Sequence, residues 1–586
     1  MTERPALARV AAMTAVACCT MMGIAAATAP AATAAAVRVA GAAPVAPGGT
    51  WGTAALVPGS TTLNNGGFAN VNSISCTAPG DCAVAGSYAD SSLDNQAFVA
   101  DEKAGTWRTA REVPGTAALN KFSANALSVS CASAGNCAVG GFYEEAGQDS
   151  EAFVATEVHG VWHPAAPVRG TAGAGAAVSS VSCAGAGDCV AGGYFTDRAG
   201  REQAFVAGQT RGTWGSAITV AASLNVAGNA YVTSVACKSA GNCAAGGFYS
   251  VKPGQTEAFT ADERHGAWSA AHEVAGALNA GVFGSITSVS CASPGNCAAG
   301  GSYTDGAGDA RAFLVTEKSG VWSVAQQVAR ALNAGGNAAV NTVSCPSAGN
   351  CAAGGSYTST ANGQQAFVVS ERHGVWSAAL QVAGALNTSG DTSVDGISCP
   401  SAGNCAAGGE YGAGNPLFDA FVVTERGGTW LAAREIAGNL NTEAGGIVES
   451  VSCTSVGDCT AGGAVTDLAG HEAFVVTGSI TQPTSTALSL SSAKITYGHE
   501  QSERLSVTVR ARYSGIPAGT VAVKAGAATI CVIHLKAGRG SCALTARKLR
   551  AGTYHLVAAY VGSAGFLRST APAKTLTVQG ARVMLV

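Results

Sequence analysis

Cysteine is the residue whose spacing speaks most directly about chemistry. Sixteen cysteines fall in eight pairs with a constant six-residue step. Cys76 stands with Cys82, Cys131 with Cys137, Cys183 with Cys189 and Cys237 with Cys243. Cys291 stands with Cys297, Cys345 with Cys351, Cys399 with Cys405 and Cys453 with Cys459. Paired thiols either hold a soft metal or oxidise to a disulfide. Zinc is disfavoured because the spacing is not C-x-x-C and no histidine recurs beside it. Cys531 and Cys542 form one more pair, and Cys18 and Cys19 lie in an N-terminal apolar run, so 18 of the 20 cysteines remain for a fully bridged framework. Such a framework persists on the oxidising side of a membrane.

Carboxylates also recur. Glu102, Glu157, Glu263, Glu317, Glu371 and Glu425 each stand five residues before a tryptophan, and Gln209 takes the place once. An acid in nearly every repeat reads as turn chemistry rather than as a catalytic pair. Glycoside hydrolysis needs two carboxylates set close together, and spacing singles out no such pair. No G-x-S-x-G elbow and no H-E-x-x-H helix occurs. His265 and His373 sit in "ERHG" turns and read as exposed loop residues, while His163, His272 and His471 stand alone. The loops from Asp90 and Asp305 carry two acids each without the order of an EF-hand. The expectation is no catalytic residue, no metal and no cofactor.

One polar signal remains. Asn64, Asn120, Asn225, Asn279, Asn333, Asn387 and Asn441 recur after leucine, in loops leading into the next repeat. These are the ligand-binding candidates, as a near-ring of amides able to contact a glycan. The other reading, and the preferred one, is that each takes a turn conformation or serves local backbone groups.

These residues must be positioned by a repeated element. From Cys183 onward the period is 54 residues. One repeat reads "VNTVSC", "CAAGGSY", "QAFVVSE" and "GVWSAALQVAG", separated by "PSAGN", "TSTANG" and "RHG". Four short alternating strands between Gly/Asn/Ser turns make an antiparallel meander, and many such meanders make a β-propeller. The chain has eight tryptophans, Trp51, Trp107, Trp162, Trp214, Trp268, Trp322, Trp376 and Trp430, each opening a fourth strand. The eighth cysteine pair is followed by "EAFVVTGS" and no tryptophan, whereas Trp51 precedes the first pair. The N-terminal strand is therefore expected to complete the last blade, so that no sheet edge is left long and unpaired. The fold class expected is all-β, an eight-bladed propeller over 49–479 closed by its N-terminal strand. Each Cys pair would staple the hairpin between the first two strands, adding about 2 kcal/mol per bridge on chain-entropy grounds.

The turn in "SERHGVW" resembles the Asp-box turns of sialidase-like propellers, which lie between the same two strands, although here the acid is Glu and the spacing to glycine differs. A sialidase-like site would need clustered arginines, and Arg111, Arg169, Arg201, Arg311 and Arg330 are scattered in sequence.

The ends read differently. Arg4 and Arg9 precede "VAAMTAVACCTMMGIAAATA", which reads as a secretory signal peptide over 1–36, with an Ala/Pro-rich linker over 37–48. An uncleaved anchor helix is the other reading. Ala15 stands where a lipobox carries leucine, against lipidation at Cys18. After the repeats come "TALSLS", "RLSVTVRA", "AGTVAVKAG", "TICVIHLKAG", "GSCALTA", "GTYHLVAAYVGS" and "KTLTV", seven short strands that suggest a sandwich. Residues 484–579 closely resemble the bacterial Ig-like family, group 3, in their Tyr-Gly, Gly-Thr-Val and Ala-x-Tyr-x-Gly-Ser strings, which implies such a domain over 480–579, followed by a tail over 580–586. The resemblance implies a spacer or adhesion module without catalytic residues. Cys531 and Cys542 fall on strands expected to be adjacent and to pair.

Charge is divided unevenly: residues 481–586 carry 13 Lys and Arg against 2 Asp and Glu, while residues 39–480 have a net charge of −16. A basic domain of this kind suits a wall polyanion. No recognition helix or aromatic RNA-binding motif supports a nucleic-acid partner, and no membrane span is expected after signal cleavage. The function expected is that of a secreted, monomeric, non-catalytic binding or surface protein, extracellular or wall-associated, with a glycan or polyanion as partner. The competing expectation is an extracellular carbohydrate-active enzyme, a glycoside hydrolase or lyase on the same scaffold.

Overall fold

The computed structural model describes residues 50–145, 149–171, 175–360, 363–414, 417–441, 445–467, 470–479, 484–511, 516–563 and 566–580. The expected signal peptide and nearly all of the linker and tail lie outside them. The chain is all-β and propeller-like, built of repeated antiparallel sheets. In a representative sheet the strands are Ala338–Ser347, Asn350–Ser359 and Gly363–Arg372, followed by two short pieces, Val375–Trp376 and Leu380–Val382. Both pieces pair with the third strand. The sequence pattern predicts one continuous fourth strand. It is instead interrupted at Ser377, whose hydroxyl accepts the Ser370 N–H at 3.3 Å where a ladder carbonyl would otherwise serve.

Eight such sheets follow in sequence, and the first strand of each packs on the first strand of the next. The series returns on itself. Thr50–Trp51 and Ala55–Leu56 pair with Gly470–Ser479, placing Trp51 opposite Gly478 and Leu56 opposite Phe474. Gly446–Ser455 packs on Ala69–Ala78, and Ala473 and Val475 share one apolar core with Val71 and Ile74.

Serines sew the inner strands together. Val129 and Cys131 donate their N–H groups to the hydroxyls of Ser73 and Ser75 at 3.1 and 2.9 Å. The same bonds close the series, from Ile74 to Ser450 at 3.1 Å and from Cys76 to Ser452 at 2.9 Å. This explains the "SxSC" phrase: an inner edge that would otherwise offer unpaired N–H groups meets a hydroxyl from its neighbour. The double glycine after it has a steric cause. A Cβ on Gly140 would lie 2.4 Å from Val178 of the next sheet, and one on Gly141 would lie 1.8 Å from the Asn125 carbonyl of its own sheet. Between sheets the filling is one phenylalanine per repeat, Phe98, Phe153, Phe205, Phe259, Phe313, Phe367, Phe421 and Phe474, each at most 1% exposed.

All eight repeated Cys pairs are bridged, each across the hairpin of its first two strands. Cys76 is joined to Cys82, Cys131 to Cys137, Cys183 to Cys189 and Cys237 to Cys243. Cys291 is joined to Cys297, Cys345 to Cys351, Cys399 to Cys405 and Cys453 to Cys459. The second cysteine of each pair is buried: Cys82, Cys137, Cys189, Cys243, Cys297, Cys351, Cys405 and Cys459 are between 3% and 7% exposed. Each belongs to an apolar core between two sheets, as Cys189 does with Val178 and Phe205, and Cys405 with Val394 and Phe421. These sulfurs are therefore packing groups as well as crosslinks. They lie deep in the fold, because the second strand of every sheet lies in the middle of its ladder, and Cys82 and Cys137 also border a cavity between the first two sheets.

Residues 484–579 form a three-stranded and a six-stranded sheet around a single apolar core. Cys531 and Cys542 are bridged there. Their strands, Ala528–His534 and Arg539–Ala543, follow one another in the chain but belong to different sheets, so the bridge joins the sheets rather than two neighbours in one. Among the described residues no helix is long and apolar enough to cross a membrane.

Candidate functional site: acid-lined seams and the inner face

The six recurring glutamates stand near the end of the third strand of their sheets, each opposite the tryptophan that opens the short fourth strand, as Glu157 does opposite Trp162 and Glu425 opposite Trp430, while Gln209 and Gly478 take that place in the other two sheets. The connection is a two-residue turn with both residues at positive φ, 52° at His265 and 81° at Gly266, which is type I′ geometry. This is the chemistry of a tight hairpin, and it leaves His159, His265 and His373 exposed at the turn.

The tryptophans face outward across a seam. Trp162 donates its indole N–H to Asp101 of the preceding sheet at 3.1 Å, and Trp214, Trp376 and Trp430 do the same to Thr156, Thr316 and Ser370. The glutamates sit in these seams, buried, and burial raises every one of them: Glu102, Glu263, Glu371 and Glu425 above the usual carboxylate range, Glu157 and Glu317 to about 7. At Glu157 the neighbouring Asp101 adds to burial, against Arg111 and Arg108.

The seams differ in what meets the acid. Arg264 Nη2 donates to Glu317 Oε1 at 2.9 Å and to the Gly320 carbonyl at 2.8 Å, and Arg372 Nη2 donates to Glu425 Oε1 at 3.1 Å. Glu102 Oε2, Glu157 Oε1, Glu263 Oε2 and both oxygens of Glu371 are buried without a partner. A cavity of about 280 Å³ opens between the first two sheets, with Asp81, Asp101, Glu102 and Glu157 in its wall and Lys103, Arg108 and His159 beside them. The glutamates were visible in the sequence, but their roles were not. The signal lay one repeat upstream, in whether an arginine follows the preceding glutamate.

A second group was missed altogether. On the inner face, Asp395 occupies the bulged position between Val394 and Gly396, where the pairing register with Asn404–Gly414 shifts. Other sheets place Asn72, Thr233, Thr287 or Asn341 there, and Asn72, Thr233 and Asn341 donate to a carbonyl of the next sheet. Asp395 instead accepts from Ser393 at 2.8 Å and from Asn341 at 3.3 Å. Glu449 fills the same position one sheet later, and Glu410 stands on the strand beside Asp395. All three are half-buried. Burial, then Asp395, Glu449 and Asp391, push Glu410 to about 8. Burial and Asp395 push Glu449 to about 7, and burial takes Asp395 to about 6 against its two donors. These acids belong to the seventh and eighth sheets. The aromatic stack of the inner face, Tyr194, Tyr231 and Phe248 with centroids 4.1 and 4.9 Å apart, belongs to the third and fourth.

The seven asparagines lie in the loops before the inner strands. Asn64, Asn120, Asn225, Asn279 and Asn333 are between 4% and 9% exposed, and Asn387 and Asn441 are half-buried. Their amides tie neighbours together. Asn225 donates to the Glu202 carbonyl of the preceding sheet at 2.8 Å and accepts the Asn229 N–H of its own loop at 2.9 Å, and Asn441 likewise joins Asp419 and Gly445. The scattered arginines are separately paired or exposed. Arg111 pairs with Asp101, Arg201 with Asp197, and Arg311 with Asp305 and Asp309, while Arg169 and Arg330 are exposed. The carboxyl groups of Asp90 and Asp305 accept N–H groups of their own loops.

Three solved structures show likeness at low similarity. The Hadza microbial sialidase Hz136 is 10% identical, over 72% of this chain and 68% of that one, with a TM-score of 0.32. A polysaccharide lyase of family PL25, an ulvan lyase, is 10% identical over 70% and 94%, with a TM-score of 0.36. The BP39L lectin from Burkholderia pseudomallei is 12% identical over 63% and 99%, with a TM-score of 0.39. Comparison with curated proteins finds no match. The C-terminal unit does match a family along its sequence, and residues 488–579 are a bacterial Ig-like domain of group 3.

Proposed function

We propose that the chain is an exported, non-catalytic binding or surface protein, in which an eight-bladed propeller presents loops and the Ig-like sandwich serves as spacer or wall contact. One observation carries this reading: the serines, asparagines and tryptophans of the repeats recur at equivalent positions, and their hydrogen bonds hold one sheet to the next. A protein arranged this way offers repeated, near-equivalent surfaces, which suits multivalent binding to a repeating polymer. The seven asparagines shape the loops, and contact with a glycan falls to the loop surfaces between them. The 13 cations against 2 acids in residues 481–586 suit a wall polyanion.

A second reading, an extracellular carbohydrate-active enzyme, is favoured by Asp395, Glu410 and Glu449. These acids belong to one sector only, and their environments push their pKa values apart, as acid and base roles require. The full-length protein separates the two readings on a glycan array combined with an assay for released reducing ends. Binding without turnover, unchanged in Asp395→Asn and Glu410→Gln, supports the binding protein. Turnover that both substitutions abolish replaces it with the enzyme.

A further inference from the structure

The seams hold the same carboxylate in two states of occupancy. At Glu317 and Glu425 a guanidinium from the preceding sheet is seated on the carboxylate, and Arg264 also reaches the Gly320 carbonyl of the turn. In the seam between the first and second sheets the corresponding acid is Glu157, 2% exposed, with Oε1 unpartnered. The residue in the place of Arg264 is Lys103, which is exposed and makes no hydrogen bond or ion pair with Glu157. Glu102, 8% exposed, adds a second unpartnered oxygen. Both acids line the cavity of about 280 Å³, and so does Gly160, the counterpart of Gly320. The basic residues Lys103 and Arg108, and His159, are exposed at the rim of the cavity, whereas Asp101, Glu102 and Glu157 are buried.

We propose that this cavity is a binding site for a guanidinium group carried by a ligand, seated on Glu157 and the Gly160 carbonyl as Arg264 is seated on Glu317 and Gly320. The ligand class follows from the chain's own use of the slot. A planar fork serves a carboxylate and a neighbouring carbonyl together, which a compact ammonium does less well. A neutral donor leaves the buried carboxylate uncompensated. The cavity is just smaller than the usual ligand pocket, about 300–1,000 Å³, and so fits one side chain rather than a whole oligosaccharide. The proposal stands apart from the glycan reading and survives its failure.

The test uses the indole resonances of the full-length, isotope-labelled protein, whose eight tryptophans give a small and assignable set. Methylguanidinium is titrated against methylammonium at equal ionic strength. The expected result is a saturable shift of the Trp162 indole with methylguanidinium, at least severalfold weaker with methylammonium, and lost in Glu157→Gln. Arg372→Ala should empty the slot at Glu425 and bring a second saturable response, at Trp430. That variant keeps the slot chemistry testable should Glu157→Gln fold poorly. A silent Trp162, a shift that persists in Glu157→Gln, or equal response to both cations overturns the proposal. So does a response that appears only when Lys103→Ala removes the chain's own ammonium, since the slot is then already filled.

Discussion

A carboxylate buried beside a tryptophan, without a cation, is an unfavourable residue for a fold, and this chain contains several. The pH dependence follows from burial, which raises such acids even where, as at Glu317, a guanidinium is seated on the carboxylate. Glu157 and Glu317 are raised to about 7, Glu449 to about 7 and Glu410 to about 8, against about 4.3 for an unperturbed Glu. Between these values the native state binds more protons than the unfolded chain, so stability is fully present below the unfolded pKa and is lost as pH rises through the folded one. Asp197, held down to about 2 chiefly by the Arg201 N–H, acts in the opposite sense but only in strong acid. Thermal unfolding should therefore occur at higher temperature near about pH 5 than near about pH 8. Glu157→Gln should narrow that difference and stabilise the protein at the higher pH by on the order of 1 kcal/mol, because an amide avoids burying an unpaired charge. A Tm that rises steadily from pH 5 to pH 8 contradicts this account.

At the scale of elements, the series of sheets is closed by few contacts of high value. Thr50–Trp51 and Ala55–Leu56 complete a sheet whose other strands lie some four hundred residues away, and Ser450 and Ser452 supply hydroxyls to the N–H groups of Ile74 and Cys76. Removing the segment 49–58 exposes the edge of Gly470–Ser479 and uncovers Phe474. The double variant Ser450→Ala, Ser452→Ala leaves two inner N–H groups without their hydroxyl acceptors, each costing about 1–3 kcal/mol. Both variants should unfold at lower denaturant concentration than the parent, with the deletion the more severe. The alanine pair introduced at Ser73 and Ser75 should cost a similar amount. An unchanged midpoint for the deletion shows that the two ends of the series do not depend on one another.

For the whole molecule, stability is distributed rather than concentrated in one core. Small residues line the sheets, each seam buries one phenylalanine, and each hairpin carries its own short-loop disulfide, worth about 2 kcal/mol. Thiol titration of the unreduced, unfolded mature protein should find almost no free sulfhydryl. Removing a single pair, as in Cys345→Ala, Cys351→Ala, should lower stability by about 2 kcal/mol without unfolding the remainder. A free-thiol count near the total cysteine content contradicts the bridged framework.

The period of the cysteines, the surplus tryptophan at one end and the missing one at the other determined the sheets, their bridges and the pairing of Trp51 with the last sheet. Those features repeat locally, and local repetition is legible along a chain. The Ig-like strings were legible for the same reason. The pairing of Cys189 or Cys405 could be read from spacing, but its enclosure between two sheets could not, because the neighbouring sheet supplies half of the wall. The fate of each glutamate was hidden in the same way, since its partner comes from the preceding sheet: Arg264 and Arg372 fill two slots, while buried oxygens of Glu157, Glu263 and Glu371 stay without a partner. Asp395, Glu410 and Glu449 were hidden more deeply still, since a bulge and an adjacent sheet bring them together although they are spread over more than fifty residues. Only the tertiary structure decides such encounters, because burial and charge act across space while sequence orders residues along a line.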